Sequence, residues 1–231
     1  DLDMHPKGFS AGLAEYLRAR DSHLTLFDPT TLPRIEDLAA SYDPAGWGWE
    51  RRIADEAVAG RVCAATDPHS ERFTEYPPGF NFTSFPDKDP QAIMGLCRHR
   101  WFASLARAYW HRREVKYLDA LWREWDFFTE RAPAPLPGSR AKLQSIYHSA
   151  YEPPYLRLDM SIRLMNWYWA FWLSVHAPET TPEQISAGLA RSIKLFDMVA
   201  SIGVGEIRSN HDAMQFEALF LWAASLPELV G

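Results

Sequence analysis

Between Tyr155 and His176 the chain reads YLRLDMSIRLMNWYWAFWLSVH, and this run decides the fold. Leu158, Ile162, Met165, Trp169 and Trp172 recur at helical spacing, and Met160, Leu164, Trp167 and Phe171 form a second stripe. Apolar residues at three- and four-residue intervals make an amphipathic helix. Two such stripes make a helix that is apolar nearly all round, which other elements must cover. The run is not a membrane span. Its longest uncharged part, Leu164 to Pro178, is interrupted by Asn166 and His176 and falls short of the ~20 residues a bilayer needs.

Working outward, Asp89 as N-cap and Pro90 in the first turn open a helix to about residue 111, with Leu96, Phe102, Leu105, Ala106 and Tyr109 inward. Glu114–Arg131 is a second helix, stopped by Pro133–Pro137 and Gly138. Thr181 caps a helix that starts at Pro182 and runs to Ile202, and Asp212–Ser225 is the last, stopped by Pro227. The short connections at Arg113 and at Pro178–Thr181 make their flanking helices antiparallel neighbours. No fixed-period repeat is present, so the hairpins form a solenoid, or one closed into a toroid, and not a regular helical array. The first ninety residues are looser. Gly8–Arg20, Pro33–Ser41 and Trp49–Gly60 read as short helices, and Phe73–Pro90 as an ordered aromatic loop. No period-2 alternation exceeds five residues. The expectation is an all-α single domain over residues 1–231, with residues 1–90 irregular and 91–231 built of helical hairpins.

Composition narrows the function classes. The 231 residues carry 24 Lys+Arg against 30 Asp+Glu, a net charge of -6, with no basic block, which excludes a general nucleic-acid binder. With 47% hydrophobic residues the chain is not disordered. Two cysteines, Cys63 and Cys97, exclude a disulfide scaffold and a Cys-rich zinc module, and the reading favours buried thiols over a bridge. The 14% aromatic content fills a core, or stacks on sugar faces in a cleft. Phosphate-loop, dinucleotide, HExxH and nucleophile-elbow motifs are all missing. No His/Asp/Glu pair has metal-ligand spacing, so neither metal nor cofactor is expected in this chain.

Four groups remain as candidate chemistry. Ser209-Asn210-His211-Asp212 lies just before a helix, where free N–H groups and the positive dipole end suit an anion; the alternative is a plain helix cap. Asp159, Arg163 and Asn166 sit on the apolar helix, as an internal Asp159–Arg163 bridge or as an arginine reaching for an acidic ligand. Arg98, His99 and Arg100 read as a solvated face with one residue tucked inward. Tyr147, His148, Tyr151 and Tyr155 line a sugar site or cover the core.

Four stretches carry a family likeness: Ala54–Arg61 (ADEAVAGR), Arg100–Trp110 (RWFASLARAYW), Leu158–Arg163 with Asn166-Trp167, and Ser209-Asn210-His211 followed by Glu217 and Leu226-Pro227-Glu228. In this order the chain resembles the helical domain of heparinase II/III-type and oligoalginate-lyase-type polysaccharide lyases. The resemblance implies an incomplete α/α toroid whose cleft binds an acidic polysaccharide, such as heparan sulfate, heparin or alginate, and β-elimination at a uronic acid. Asn210 then neutralises the uronate carboxylate and His211 is its catalytic or binding partner. Arg163 and Asn166, with Tyr147, His148, Arg98 and His99, make up the expected substrate-binding set. The family's catalytic tyrosine lies well downstream of the Asn-His pair, whereas this sequence ends 20 residues after His211. The expected partner is therefore the family's C-terminal β-sandwich, and any structural metal would belong there. The likeness implies a periplasmic or secreted enzyme, or a cytoplasmic one if it acts on oligosaccharides; no signal peptide is visible. Two rivals stay open. One is an inverting hydrolase using a carboxylate pair from Glu152, Asp159, Asp212 and Glu217. The other is a non-catalytic binding module. Either sugar reading with a net charge of -6 calls for a local basic cleft from some of Arg98, Arg100, Arg107, Arg163 and Arg208.

Overall fold

The predicted central helix runs from Arg157 to Val175. The computed structural model describes residues 6–20, 31–64, 73–76, 79–80, 82, 90–132, 155–201 and 210–230. In chain order these give α1 (Pro6–Ala19), α2 (Leu32–Tyr42), α3 (Pro44–Val58), β1 (Arg61–Cys63), β2 (Phe73–Glu75), α4 (Pro90–Arg98), α5 (Arg100–Arg112) and α6 (Lys116–Arg131). Then follow α7 (Arg157–Val175), α8 (Pro182–Ser201), α9 (Asn210–Ser225) and a 3-10 turn, Pro227–Val230. The described residues are all-α but for the two short strands. Helix α7 packs against α4, α5, α8 and α9, and α5 packs against α3 and α6. Met160, Leu164, Trp167, Phe171 and Trp172 of α7 are buried, while Leu158, Ile162, Met165 and Trp169 are half-buried. The helix is thus covered on most sides, as its apolar sequence requires.

Aromatic residues go chiefly into the core. Trp101, Trp125, Trp172 and Trp222 are fully buried. Two indoles also tie helices together, since Trp110 donates to the Leu173 carbonyl at 2.8 Å and Trp222 to that of Leu164 at 2.9 Å. A buried indole N–H is usually held in this way. The ends are fixed as well. Thr181 and Gln184 form a reciprocal capping box: Gln184 N donates to Thr181 Oγ1 at 3.2 Å and Thr181 N to Gln184 Oε1 at 2.9 Å. Arg18 of α1 reaches the C-terminal end of α7, donating to the carbonyls of Val175 at 2.9 Å and Thr180 at 2.8 Å, where cations and donors are favoured.

Three expectations change. Helix α3 starts at Pro44, five residues before Trp49, because Asp43 accepts from Gly46 N at 3.0 Å with proline at the first position. After Gly60, whose φ of 82° suits a residue without Cβ, β1 pairs antiparallel with β2, Val62 opposite Thr74. Three-residue strands are too short to show alternation.

The third change is the largest. The single helix predicted over 91–111 is two helices, broken at His99, which adopts φ 53° and ψ 43°. No proline or glycine marks the break. Side chains of α7 stabilise it by taking up the groups it frees. Asn166 Nδ2 donates to Arg98 O at 2.8 Å, Arg163 Nη1 to Cys97 O at 2.9 Å, and Trp167 Nε1 to His99 Nδ1 at 3.0 Å. Cys63 and Cys97 are free thiols and both are buried; burial pushes Cys97 up to about 12, so it stays protonated. Among the described residues no helix is long and apolar enough to cross a membrane.

Candidate functional site

The N-terminal ends of α7 and α9 lie side by side, and an arginine joins them. Arg157 Nε donates to Gln215 Oε1 at 2.6 Å, and Arg157 Nη2 donates to Asp212 Oδ1. Gln215 in turn donates through Nε2 to the Val199 carbonyl of α8 at 2.9 Å. Asp212 and Gln215 are buried by this clamp, His211 is half-buried and Asn210 is exposed. Asn210 and His211 therefore stand in the first turn of α9 and not in a loop ahead of it. The helix begins two residues earlier than its apolar pattern shows, because Asp212 is held inside the first turn by Arg157. First-turn N–H groups have no intrahelical acceptor and point to where an anion is favoured.

Asp159 sits in the first turn of α7. It accepts from Arg98 Nε at 2.8 Å, and both side chains are buried. This replaces the expected Asp159–Arg163 bridge within α7. Burial raises the Asp159 carboxyl above its ordinary range, while Arg98, Arg163 and then His211 pull it back. The carboxylates weighed for hydrolysis are held differently from a free acid pair: Asp159 is engaged by Arg98, Asp212 by Arg157 and Glu217 is exposed. Glu152 lies outside the described residues.

The remaining expected contacts form an internal scaffold. Arg98 and His99 are 8% and 1% exposed, so two of the three residues turn inward where one was expected, and Arg100 is half-exposed. His99 is neutral. Its Nδ1 accepts from Trp167, so its proton is on Nε2, and burial, reinforced by Arg163, holds it well below the usual histidine range. Asn166 is half-buried against the Arg98 carbonyl. Arg163 is 0% exposed, with its guanidinium 4.7 Å from the Phe128 ring centroid, 5.6 Å from Tyr155 and 5.9 Å from Trp167. Burial pulls its pKa down. Tyr155 commits its hydroxyl to Ala132 O at 2.7 Å. Tyr147, His148 and Tyr151 lie outside the described residues.

The predicted basic cleft was to draw on some of Arg98, Arg100, Arg107, Arg163 and Arg208. Arg98 and Arg163 are interior, Arg107 lies 3.7 Å from Glu50, and Arg208 is outside the described residues. Arg163 meets two cations that were not in that set. Arg163 of α7 with Arg191 and Lys194 of α8 line a cavity of about 90 Å³ against α6. The i, i+3 spacing of Arg191 and Lys194 on one face of α8 was the available signal. Arg191 is oriented by Asp126, 2.5 Å away. Among the described residues no group of three or more His, Cys, Asp or Glu is placed to hold a metal ion.

No curated protein matches by sequence. The family model described as "Heparinase II/III N-terminus" matches residues 9–230. Among solved structures, a heparinase III with methylated lysines superposes with TM-score 0.71 at 18% identity, over 96% of this chain and 33% of that one. Heparan sulfate lyase HepC from Pedobacter heparinus gives 0.64 at 19%, over 96% and 32%. A further heparinase III gives 0.66 at 19%, over 95% and 31%. At such identities the likeness is one of fold, and it is the incomplete α/α toroid expected from the sequence. The chain spans about a third of the length of the solved structures it matches.

Proposed function

The chain belongs to the heparinase II/III N-terminus family, and from that premise we propose that it is the helical part of a polysaccharide lyase. Its substrate on this reading is a uronate-containing polysaccharide, such as heparan sulfate, heparin or alginate, cut by β-elimination. The observation that carries the reading is the first turn of α9. It presents exposed Asn210 and half-buried His211 on a helix end that favours negative charge and that the Arg157 clamp holds in place.

Elimination begins with loss of the proton at C5 of the uronate. The electron pair left on C5 delocalises into the carboxylate as an enediolate, and the C4–O4 bond then breaks. The Asn210 amide donates to the carboxylate, lowering the cost of the second negative charge that develops there. His211 beside it takes the C5 proton or shares the carboxylate. Arg98 holds Asp159 by a hydrogen bond at 2.8 Å. The proton for the departing O4 is assigned to a tyrosine supplied by the longer enzyme, together with the C-terminal β-sandwich and any structural metal. A periplasmic or secreted location suits a polymeric substrate.

The test incubates the protein with heparan sulfate, heparin, alginate and unsulfated glucuronan. Binding and the ultraviolet absorbance of a C4–C5 double bond are both followed. Asn210→Ala and His211→Ala are expected to abolish elimination or, where the chain binds without turnover, to weaken binding. One missing oxyanion-type donor costs ~10²–10³ in rate. Unchanged binding and turnover in both variants overturns the assignment. Binding without any unsaturated product favours a non-catalytic uronate-binding domain.

A further inference from the structure

We propose that the outward face of α9 is a docking surface, and that its occupant is a helix of the longer enzyme, laid along Ala213, Phe216 and Phe220. The proposal rests on the functional reading for that longer enzyme, and it names the part that completes the wall beside Asn210.

Helix α9 packs on α7 and α8 and buries Asp212, Gln215, Ala218, Leu221, Trp222 and Ser225 on that side. The residues it exposes are Asn210, Ala213, Phe216, Glu217 and Phe220. Their spacing places them on one face, opposite the buried one. Phe216 is 52% and Phe220 55% exposed, and their rings stack with centroids 6.4 Å apart and an interplanar angle of 13°. Nothing in this fold obliges an outward face to be apolar. Helix α6 exposes Lys116, Asp119, Arg123, Asp126, Thr129 and Glu130, and every one is polar. A contiguous apolar stripe left open on a helix marks a surface that another element covers.

A second helix fits that stripe. Phe216 and Phe220 form a ridge at i, i+4 spacing, and Ala213 with half-exposed Ala223 and Ala224 leaves low ground beside it. Side chains of a packing helix seat in such grooves. Among the described residues that α9 exposes, Glu217 alone is charged, so the docking helix carries a cation opposite it.

Size favours a tethered occupant. Half exposed, each ring offers ~75–125 Å² of the ~150–250 Å² that an aromatic side chain can bury, and a stable complex buries ~800 Å² per partner. A segment of the same polypeptide needs far less area, because tethering raises its effective concentration to about millimolar. The family match is to an N-terminus, and in the solved structures it resembles this chain accounts for about a third of the length. A longer enzyme on that plan has the chain to supply such a helix. Asn210 stands on the same face, roughly 9 Å along the axis from Phe216. A helix seated on the two rings therefore runs up to Asn210 and forms the neighbouring wall of the candidate site.

The experiment compares this chain with the full gene product that contains it. Cys63 and Cys97 are buried, so Ala213→Cys adds an accessible thiol while keeping both rings, and Asp119→Cys on the polar face of α6 is the control. Both are labelled with dithiobis-nitrobenzoate. In this chain the two introduced thiols should react at similar rates at any protein concentration. In the full gene product the Ala213→Cys thiol should react at least about tenfold more slowly, with Asp119→Cys unchanged. Adding Phe216→Glu and Phe220→Glu should restore fast labelling. Equal rates in the two proteins overturn the proposal. So does a slowing in this chain that grows with its concentration, which places a second copy on the face. A full gene product with no helical segment after residue 231 overturns it too. The functional reading is judged separately, by unsaturated product from uronate polysaccharide in the full gene product. Protection without product keeps the docking face and removes the lyase reading. Asn210-dependent product without protection does the reverse.

Discussion

Asp159 of α7 and Arg98 at the end of α4 meet at 2.8 Å in the interior, their side chains 3% and 10% exposed. This pair joins the helix break at His99 to the central helix. Removing one partner strands the other's charge. Arg98→Ala should therefore cost about 3–5 kcal/mol. Adding Asp159→Ala should cost clearly less than the sum of the two single changes. Urea unfolding of the two single variants and the double variant measures this coupling; additive losses would show that the pair is not linked.

Arg157 is a positioning residue, acting through Asp212 and Gln215. Arg157→Met should loosen the first turn of α9, seen as faster hydrogen exchange at residues 210–215 with the rest of α7 unchanged. Uronate binding should fall about tenfold with it. Arg157→Lys keeps the charge without the fork and should restore only part of the affinity.

Glu124 is a buried carboxyl on α6. Burial raises it above the ordinary range, against the pull of Arg123 and a hydrogen bond from Tyr76. A folded-state carboxyl that is raised binds its proton more tightly than in the unfolded chain. Its contribution is full below the ordinary ~4.3 and is lost as pH rises through the raised value. Glu124→Gln should remove that loss and lift Tm by about 2–4 °C at pH 7, with no gain at pH 4. Thermal melts at both pH values decide it.

Glu228 behaves in the opposite sense. Hydrogen bonds from Arg20 and Tyr16 hold its carboxyl down, to about 2. Its stabilising effect is present above the ordinary ~4.3 and disappears as pH falls toward 2. Glu228→Gln should lower Tm slightly at pH 7, since the side chain is largely exposed and the pair screened. The variant and wild type should converge only as pH falls to about 2 or below. A gap that persists in acid would point to packing instead of charge.

Gly188 sits inside α8, where glycine is normally a weakness. A Cβ there would lie 3.0 and 3.1 Å from two atoms of the Trp122 ring and 3.3 Å from Phe171. Both rings are buried and cannot yield cheaply. Gly188→Ala should therefore destabilise, by about 1–2 kcal/mol after its gain in helix propensity. A rise in Tm would contradict the close approach.

The central helix was legible because α7 is apolar on nearly every side, and no other fold covers such a helix as simply as packed hairpins. The Thr181–Pro182 start was legible from local chemistry alone. The break at His99 was not, since neither proline nor glycine announces it and its cause lies some 68 residues away in Asn166 and Trp167. Pairings hid for the same reason. Arg163 and Asp159 stand one turn apart in sequence, yet Asp159 takes Arg98 and Arg163 takes a carbonyl of α4. Asn210 and His211 were found as a pair, but their place inside the helix depended on Arg157, which the sequence reading passed over. Arg191 and Lys194 were missed because a lone i, i+3 basic pair looks like any solvated surface.

The indoles at the α6–α7 seam carry one more consequence. Trp122 and Trp125 stack with centroids 5.2 Å apart and a 10° interplanar angle, and Trp125 lies 5.1 Å from Trp167. Chromophores this close share their electronic transitions, so the seam should display a split near-ultraviolet dichroism band. That optical signature comes built in and needs no label, so any loosening of the seam would be read directly from the band.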